Sequence, residues 1–404
     1  MMDKLKTFFD IFKHLRVRQI IRLLICAVCI VIYVVLTIWM NLKVSELDDQ
    51  LVSKRWNSEG GFGQASIFFS QGTTVTEDKI KEFEYRISKA LTEDSVDDGT
   101  DDNGDTTANW TDCYSSVGSI TASVGTKSVE ATAIGTGGDF FIFHPVTLLS
   151  GSYYDDDDLM NDRIVIDENL AWQLYGSNDI IGQTIEIGGV PHIIAGVTRF
   201  DNSKMIKASG IEGPVCFLSY YSLYNYGTVY GASTGSKAVA TTASATDKKT
   251  EDTSTASTAT SDPGAISCYE VVMPNPVEGY ARSVLAGKLG MKENNIFTVD
   301  NDKRFGPVAL LNVLNAFPTR SMRTFNITFP YWENIARGWE DILAICLAIR
   351  FICVLIVVAI LVYKIVYSYN HKKWTIESVS RYISDRIYDI QSSLKYEKDK
   401  WKYF

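Results

Sequence analysis

Between two long apolar runs the chain carries two histidines, His144 and His192, and three cysteines, Cys113, Cys216 and Cys268. These are the residues there best suited to metal or redox chemistry. Zinc chemistry read from sequence needs ligands at short, regular spacing such as H-E-x-x-H, and neither histidine has such a neighbour, so each reads as a hydrogen-bonded structural residue. Cys216 and Cys268 both lie in apolar strand-like runs, which makes them a candidate disulfide pair; buried free thiols are the alternative. The acidic run Asp97–Asp105 (DDGTDDNGD) invites a calcium reading. With Gly104 at the sixth position of a calcium loop, however, Gly99 and Trp110 fall where ligands are required, so it reads as a solvated loop. The shorter run Asp155–Asp158 reads the same way. No G-x-S-x-G elbow and no G-x-x-x-x-G-K-[ST] loop is present, and GTGGDFF from Gly135 reads as a turn. No catalytic, cofactor or metal site is assigned, and the chain reads as non-enzymatic.

The 404 residues include 39 Lys and Arg against 48 Asp and Glu, a net charge of −9. Aromatic content of 12% fits a folded chain, which excludes disorder throughout. No basic stripe lies outside the two ends, so nucleic acid is not an expected partner. Seven cysteines in this length exclude a disulfide scaffold.

Residues 20–41 contain the run IIRLLICAVCIVIYVVLTIWM, with Arg22 its only charge, and residues 342–367 form a second run interrupted by Arg350 and Lys364. A bilayer core needs roughly 20 apolar residues as helix, so both runs suit transmembrane helices. Lys and Arg crowd residues 1–19 and the tail 368–404, which places both termini in the cytoplasm of a two-pass plasma-membrane protein. The intervening residues 42–341 hold 23 basic against 41 acidic residues and form an extracytoplasmic domain.

Within that domain VSELDDQLVSKRW reads as a polar stalk. A strand at Phe62–Ser70 precedes a helix that opens at Thr76 with a capping-box pattern and carries Ile80, Phe83, Ile87 and Leu91 at helical spacing. A second strand, Cys268–Met273, precedes a helix starting near Pro276. These strand–helix units, within 62–92 and 268–300, predict two halves of one α+β layer. Residues 110–231 predict a β-rich lobe, with strands at Gly118–Val124, Val129–Gly135, Arg163–Asp167, Gln183–Ile187 and His192–Val197 and a single helix at Glu168–Tyr175. Residues 232–265, nearly all Ala, Ser, Thr, Asp and Lys, predict a disordered insert. The fold class is thus an α+β ectodomain, a split strand–helix layer plus a β-rich lobe, held between two transmembrane α-helices.

Five residues are candidates for coupling or partner contact. Arg350 lies inside the second run, where an arginine is costly, and is expected to face a helix partner or polar seam, or to snorkel. Trp332 and Trp339 suit either a membrane-interface anchor or a rigid lever into the second span. Ile383 and Ile387 belong to an apolar stripe on a tail helix, which suits the inner leaflet or a protein groove.

The stretch Ala131–Val197, with its Phe-rich segment, GSYY turn, VIDENLAWQLYG strand–helix, Asp179–Gly182 turn and IEIGGVPHIIAGV hairpin, resembles the periplasmic core domain of MacB-type and FtsX-like ABC transporter permeases. The resemblance implies a split porter-like layer flanking a β-rich lobe. It also implies a permease-type subunit that couples a cytoplasmic ABC ATPase to ectodomain movement, for export or efflux. Implied partners are that ATPase, which would perform any ATP hydrolysis, other permease subunits, an extracytoplasmic adaptor and membrane lipid. MacB-type permeases carry one span before this domain and three after it; here one run follows, which reads as a divergent subunit that pairs with fuller permeases. The alternative is a membrane-anchored extracellular binding or assembly protein without transport activity.

Overall fold

The computed structural model describes residues 17–58, 60–96, 109–155, 160–199, 203–211, 213–230, 265–320, 327–371, 380–388 and 392. Residues 97–105, Asp156–Asp158, 232–264 and most of the tail, on which several sequence expectations rest, lie outside them. The chain divides into two compact units, Met1–Trp39 with Ala348–Phe404, and Met40–Leu347.

Helix α1 (Val17–Ser45) is followed by a single 3-10 turn at Asp48–Gln50 and a short helix α2 (Val52–Trp56). This segment is no exposed stalk: Gln50, Val52 and Ser53 are buried. The main-chain N–H of Val52 donates to Gln64 Oε1 at 3.0 Å, which ties the segment to the next strand.

Strand β1 (Phe62–Phe69) leads to helix α3 (Glu77–Glu93). Ile80, Phe83, Ile87 and Leu91 of α3 are all buried, as their spacing predicts. Thr76 caps the helix by accepting from the Lys79 N–H at 3.2 Å. Because position three is a lysine, the reciprocal half of a capping box is missing.

Strands β2 (Thr111–Val124) and β3 (Lys127–Gly138) form a long antiparallel hairpin. GTGG is therefore strand rather than turn, and helix α4 (Phe140–Phe143) follows it. A Cβ at Gly137 would lie 2.0 Å from Tyr114 Cζ across the hairpin, so a larger residue there would displace the Tyr114 ring. Then come β4 (Thr147–Gly151), β5 (Arg163–Asp167), α5 (Glu168–Leu174), β6 (Thr184–Ile187), β7 (Val190–Arg199), α6 (Lys204–Ala208), β8 (Val215–Ser219), α7 (Tyr220–Tyr226) and β9 (Thr228–Val229). The lobe thus holds short helices besides the predicted one. At α7 the Ser219 hydroxyl accepts from Ser222 N–H, a local cap that starts a helix in a run too aromatic to advertise one.

Strand β10 (Cys268–Pro274) precedes α8 (Tyr280–Gly287), β11 (Ile296–Asp300), α9 (Pro307–Arg320) and α10 (Tyr331–Asn370). Helix α8 starts after Gly279, whose φ of +80° ends the preceding turn, and not at Pro276.

One sheet joins both lobes in the order β11-β1-β10-β2-β3-β8-β5-β7-β4, with β6 on β2 and β7 and with β9 on β2. The two predicted halves meet directly, because β1 pairs antiparallel with β10. Their core packs Ile67, Phe83, Ile87, Tyr269, Val271 and Leu285 together. The β-rich lobe has its own core of Ile164, Ile166, Leu170, Ile187 and Ile194.

Helices α1 and α10, each divided between the two units, are long and apolar enough to cross a membrane, with mean hydropathies of 2.9 and 3.2 over their most apolar stretches. Arg350 donates from Nη2 to the Tyr33 hydroxyl at 3.1 Å, and its guanidinium lies 4.7 Å from the Tyr33 ring centre. Arg22 lies over Tyr363 at 4.4 Å. Each of these two arginines within the apolar runs therefore sits on an aromatic face supplied by the opposite helix.

Candidate functional site

Two buried polar clusters occupy the base of the ectodomain, where the chain leaves α1 and enters α10. Backbone elements set their positions. Ser66 on β1 pairs in register with Glu270 on β10, which pairs in turn with Cys113 on β2, so the three stand in one row across the sheet. His144 follows α4, which β3 delivers to the same side. Asp49 and Gln50 come from the turn after α1.

The first cluster centres on His144. Its Nδ1 lies 2.9 Å from Asp49 Oδ1 and its Nε2 lies 2.5 Å from Glu270 Oε2. Glu270 also accepts from the Ser66 hydroxyl at 2.6 Å. Burial disfavours the imidazolium, but the Glu270 and Asp49 carboxylates outweigh it and hold the imidazole at about 9. The Glu270 carboxyl shows the converse: burial raises it, and His144 with the Ser66 bond brings it below its ordinary value. Trp332 packs on the His144 ring at 4.1 Å between centres and Phe140 at 4.8 Å, an apolar wall around the charges.

The second cluster centres on Arg304, in the turn after β11. Its guanidinium donates twice to Glu333, at 2.8 and 3.0 Å, once to Glu340 at 2.7 Å and once to Gln50 Oε1 at 2.8 Å. Arg320, at the end of α9, also donates to Glu340, and its Nε lies 2.7 Å from an Asp341 oxygen. Burial works against charge on Arg304, yet Glu333 and Glu340 raise its pKa overall. Burial also raises the Glu333 carboxyl, and Arg304 recovers only part of that shift. Gln64 links the clusters to β1, since its Nε2 donates to the Asp49 carbonyl at 2.7 Å and its N–H to Asp302 at 2.9 Å.

Nothing in this arrangement presents a nucleophile to solvent. Its capacity is mechanical and electrostatic, because it clamps the turn after α1 and the start of α10 onto the sheet. Cys113 Sγ, His144 and Glu270 also offer three metal-type ligand atoms within 4.8 Å of one another.

The sequence-selected residues fall in several different settings. Trp332 is 1% exposed and belongs to the ectodomain core, so it is not a membrane-interface anchor. Trp339 is half-buried, with Lys43 Nζ 5.8 Å from its ring centre. Cys216 and Cys268 are free thiols on β8 and β10. Strands β2 and β3 lie between them, a separation of about 14 Å at the usual strand spacing, far beyond disulfide reach. Arg350 meets Tyr33 of its own chain. Ile383 and Ile387 lie one turn apart on a described helical stretch, 52% and 51% exposed. His192 is a structural histidine, its Nδ1 3.0 Å from the Val190 carbonyl and its Nε2 3.0 Å from the Ser222 hydroxyl. Sequence reasoning missed Asp49, Glu270, Arg304, Glu333 and Glu340. The available signal was Glu270, a charge in the middle of the otherwise apolar strand CYEVVM.

Residues 24–259 match the family model described as the MacB-like periplasmic core domain. The macrolide export ATP-binding/permease protein MacB of Shewanella oneidensis is 36% identical over 101 residues, covering 22% of this chain and 15% of that protein. Its counterpart in Chromobacterium violaceum is 35% identical over 71 residues, 17% of this chain and 11% of that protein. The matched stretches are thus a small part of those relatives. Among solved structures, the periplasmic region of MacB from Actinobacillus actinomycetemcomitans aligns with 65% of this chain and 95% of its own, at 15% identity and a TM-score of 0.36. The extracellular domain of the noncanonic ABC-type transporter YknZ from Gram-positive bacteria aligns with 59% of this chain and 100% of its own, at 14% identity and a TM-score of 0.34.

Proposed function

Because this chain belongs to the MacB-like periplasmic core domain family, as a membrane protein with an extracytoplasmic domain, we propose that it works as an ABC-transporter permease-type subunit. In this reading a cytoplasmic ATPase drives movement of the ectodomain, and that movement serves export or efflux without chemistry by this chain. Both termini lie in the cytoplasm, as the Lys and Arg flanking the two apolar runs favour.

The observation that carries the reading is α10. It is one helix of 40 residues, Tyr331–Asn370. Its first three turns are held in the ectodomain base by the packing of Trp332 and the bonds of Glu333 and Glu340, and the same helix continues as the second apolar run. A helix transmits displacement along its axis only while its hydrogen-bond ladder is unbroken, and a buried bidentate Arg–Glu pair resists slippage at the attachment. The partner ATPase is assigned to the cytoplasmic tail. Support comes from Ile383 and Ile387, whose exposed apolar side chains share one helical face.

The test is a flexible Gly-Ser pair inserted after Gly338 in the full chain with its ATPase. Membrane insertion and ectodomain folding should persist while export output falls to background. Unchanged output would overturn the lever. Ile383→Asp with Ile387→Asp should abolish co-purification of the ATPase, whereas Lys-to-Gln changes at Lys395, Lys398, Lys400 and Lys402 should not. The opposite pattern would make the tail a lipid anchor.

A further inference from the structure

Three ligand-type side chains of different chemistry converge in the ectodomain base, although 31 and 126 residues of sequence separate them. Cys113 comes from β2, His144 from the exit of α4 and Glu270 from β10, and all three are buried. We propose that Cys113, His144 and Glu270 form a structural site for a divalent transition metal of the zinc class, with Asp49 holding the imidazole from behind.

The donor set selects the metal. Thiolate sulfur, imidazole nitrogen and carboxylate oxygen are the three ligand types zinc takes, whereas calcium and magnesium want oxygen throughout. The orientation of the ring fits as well. Nδ1 is engaged with Asp49 at 2.9 Å, which leaves Nε2 facing Glu270 at 2.5 Å. A carboxylate on one nitrogen and a metal on the other is the usual arrangement of a ligating histidine, because the carboxylate fixes the tautomer and makes the free nitrogen more basic. Trp332 and Phe140 pack against the ring and exclude water from that side.

The charge balance is neutral. Binding through Nε2, the Glu270 carboxylate and the Cys113 thiolate would displace one proton from the Nε2–Glu270 pair and one from the Cys113 thiol. The metal takes the place of the first proton and forms a bond to sulfur as the second leaves. One dication enters and two protons depart, so the buried cluster holds the same net charge before and after. Loading therefore adds no uncompensated charge to an interior that could not solvate it. The metal would join β2, β10 and the segment after β3, and through Asp49 the turn that follows α1. Because the ligands are buried, the metal is acquired as the domain folds and is retained against chelators.

The experiment uses the full chain, produced in minimal medium supplemented with cobalt(II) and isolated in detergent. About one cobalt per chain is expected, together with the charge-transfer absorption of a cobalt–thiolate bond. Cys113→Ser should remove that band, and Cys216→Ser, two strands away on β8, should leave it unchanged. Cobalt content below roughly a tenth of an equivalent overturns the proposal, since a folding-coupled site loads fully. So does cobalt bound without the thiolate band, or a band that survives Cys113→Ser. If Cys113→Ser does not accumulate, the wild-type stoichiometry and band still decide, with Cys216→Ser and Cys268→Ser showing that no other ectodomain thiol supplies the band.

Discussion

The base of the ectodomain and its β-rich lobe share one strand yet are held together by different physics. At the Thr111 end of β2 the neighbours are Glu270, Ser66 and His144; toward the Val124 end they are Ile185, Ile187 and Leu223. The lobe is stabilised by removing apolar surface from water, an effect that is non-directional and graded with area. The base is stabilised by charges that must each meet a specific partner, because an unpaired charge there has no solvent. That difference follows from position. The base receives the segments that lead to the apolar helices, and paired charges fix their register in a way that a greasy contact would not.

The comparison breaks most visibly at Arg304. Arg304→Met leaves Glu333 buried without its bidentate partner and Glu340 with Arg320 alone, and should destabilise the ectodomain by about 3–5 kcal/mol. Denaturant unfolding of the full chain in detergent measures it, and a loss under about 1 kcal/mol would show that the base is not charge-clamped. Replacing Arg304, Glu333 and Glu340 together by Met should recover much of the loss, since a matched apolar cluster needs no partners.

In the lobe the response should be graded. Ile166→Ala should cost about 3 kcal/mol and Ile194→Val about 1 kcal/mol, scaling with the methyl groups removed. Equal losses from the two would indicate that the lobe, too, depends on specific geometry.

One carboxylate in the lobe adds a pH signature. Burial pushes Asp167 up to about 6, only partly relieved by its cap bond to the Leu170 N–H at 2.7 Å. The folded state therefore holds this proton more tightly than the unfolded chain does. Its contribution to stability is full below the ordinary aspartate range and is lost as pH rises through about 6. The loss is on the order of 2–3 kcal/mol, and Asp167→Asn should flatten stability across that window while preserving the cap. A profile that keeps its slope in the variant would assign the dependence to another group.

The smallest effect belongs to the surface. Lys303 and Glu278 are 2.8 Å apart but both exposed, so Lys303→Ala should leave the unfolding midpoint where it is. A clear shift there would mean that the electrostatics of the base extend further than the buried pairs.

Local pattern was enough for elements whose burial is one-sided or whose apolar run is long. The stripe Ile80, Phe83, Ile87 and Leu91, the strand Arg163–Asp167 and the two membrane-length helices could be read because each repeats its signal within a few residues. The same holds for the two strand–helix units, whose sequence order already implied a split layer. The polar base could not be read in this way. Asp49, His144 and Glu270 are far apart in the chain, and nothing local distinguishes a charge that will be buried from one that will be solvated. Trp332 has the composition of an interface anchor and becomes core only because α4 and His144 pack against it. The apparent stalk after α1 is buried for a similar reason, since β1 offers Gln64 to its unpaired backbone. Periodicity is a property of neighbours along the chain, so the sequence by itself determined the strongly periodic elements and the membrane-length runs. The partners of each buried charge come from elements distant in sequence, and only the tertiary structure decided them.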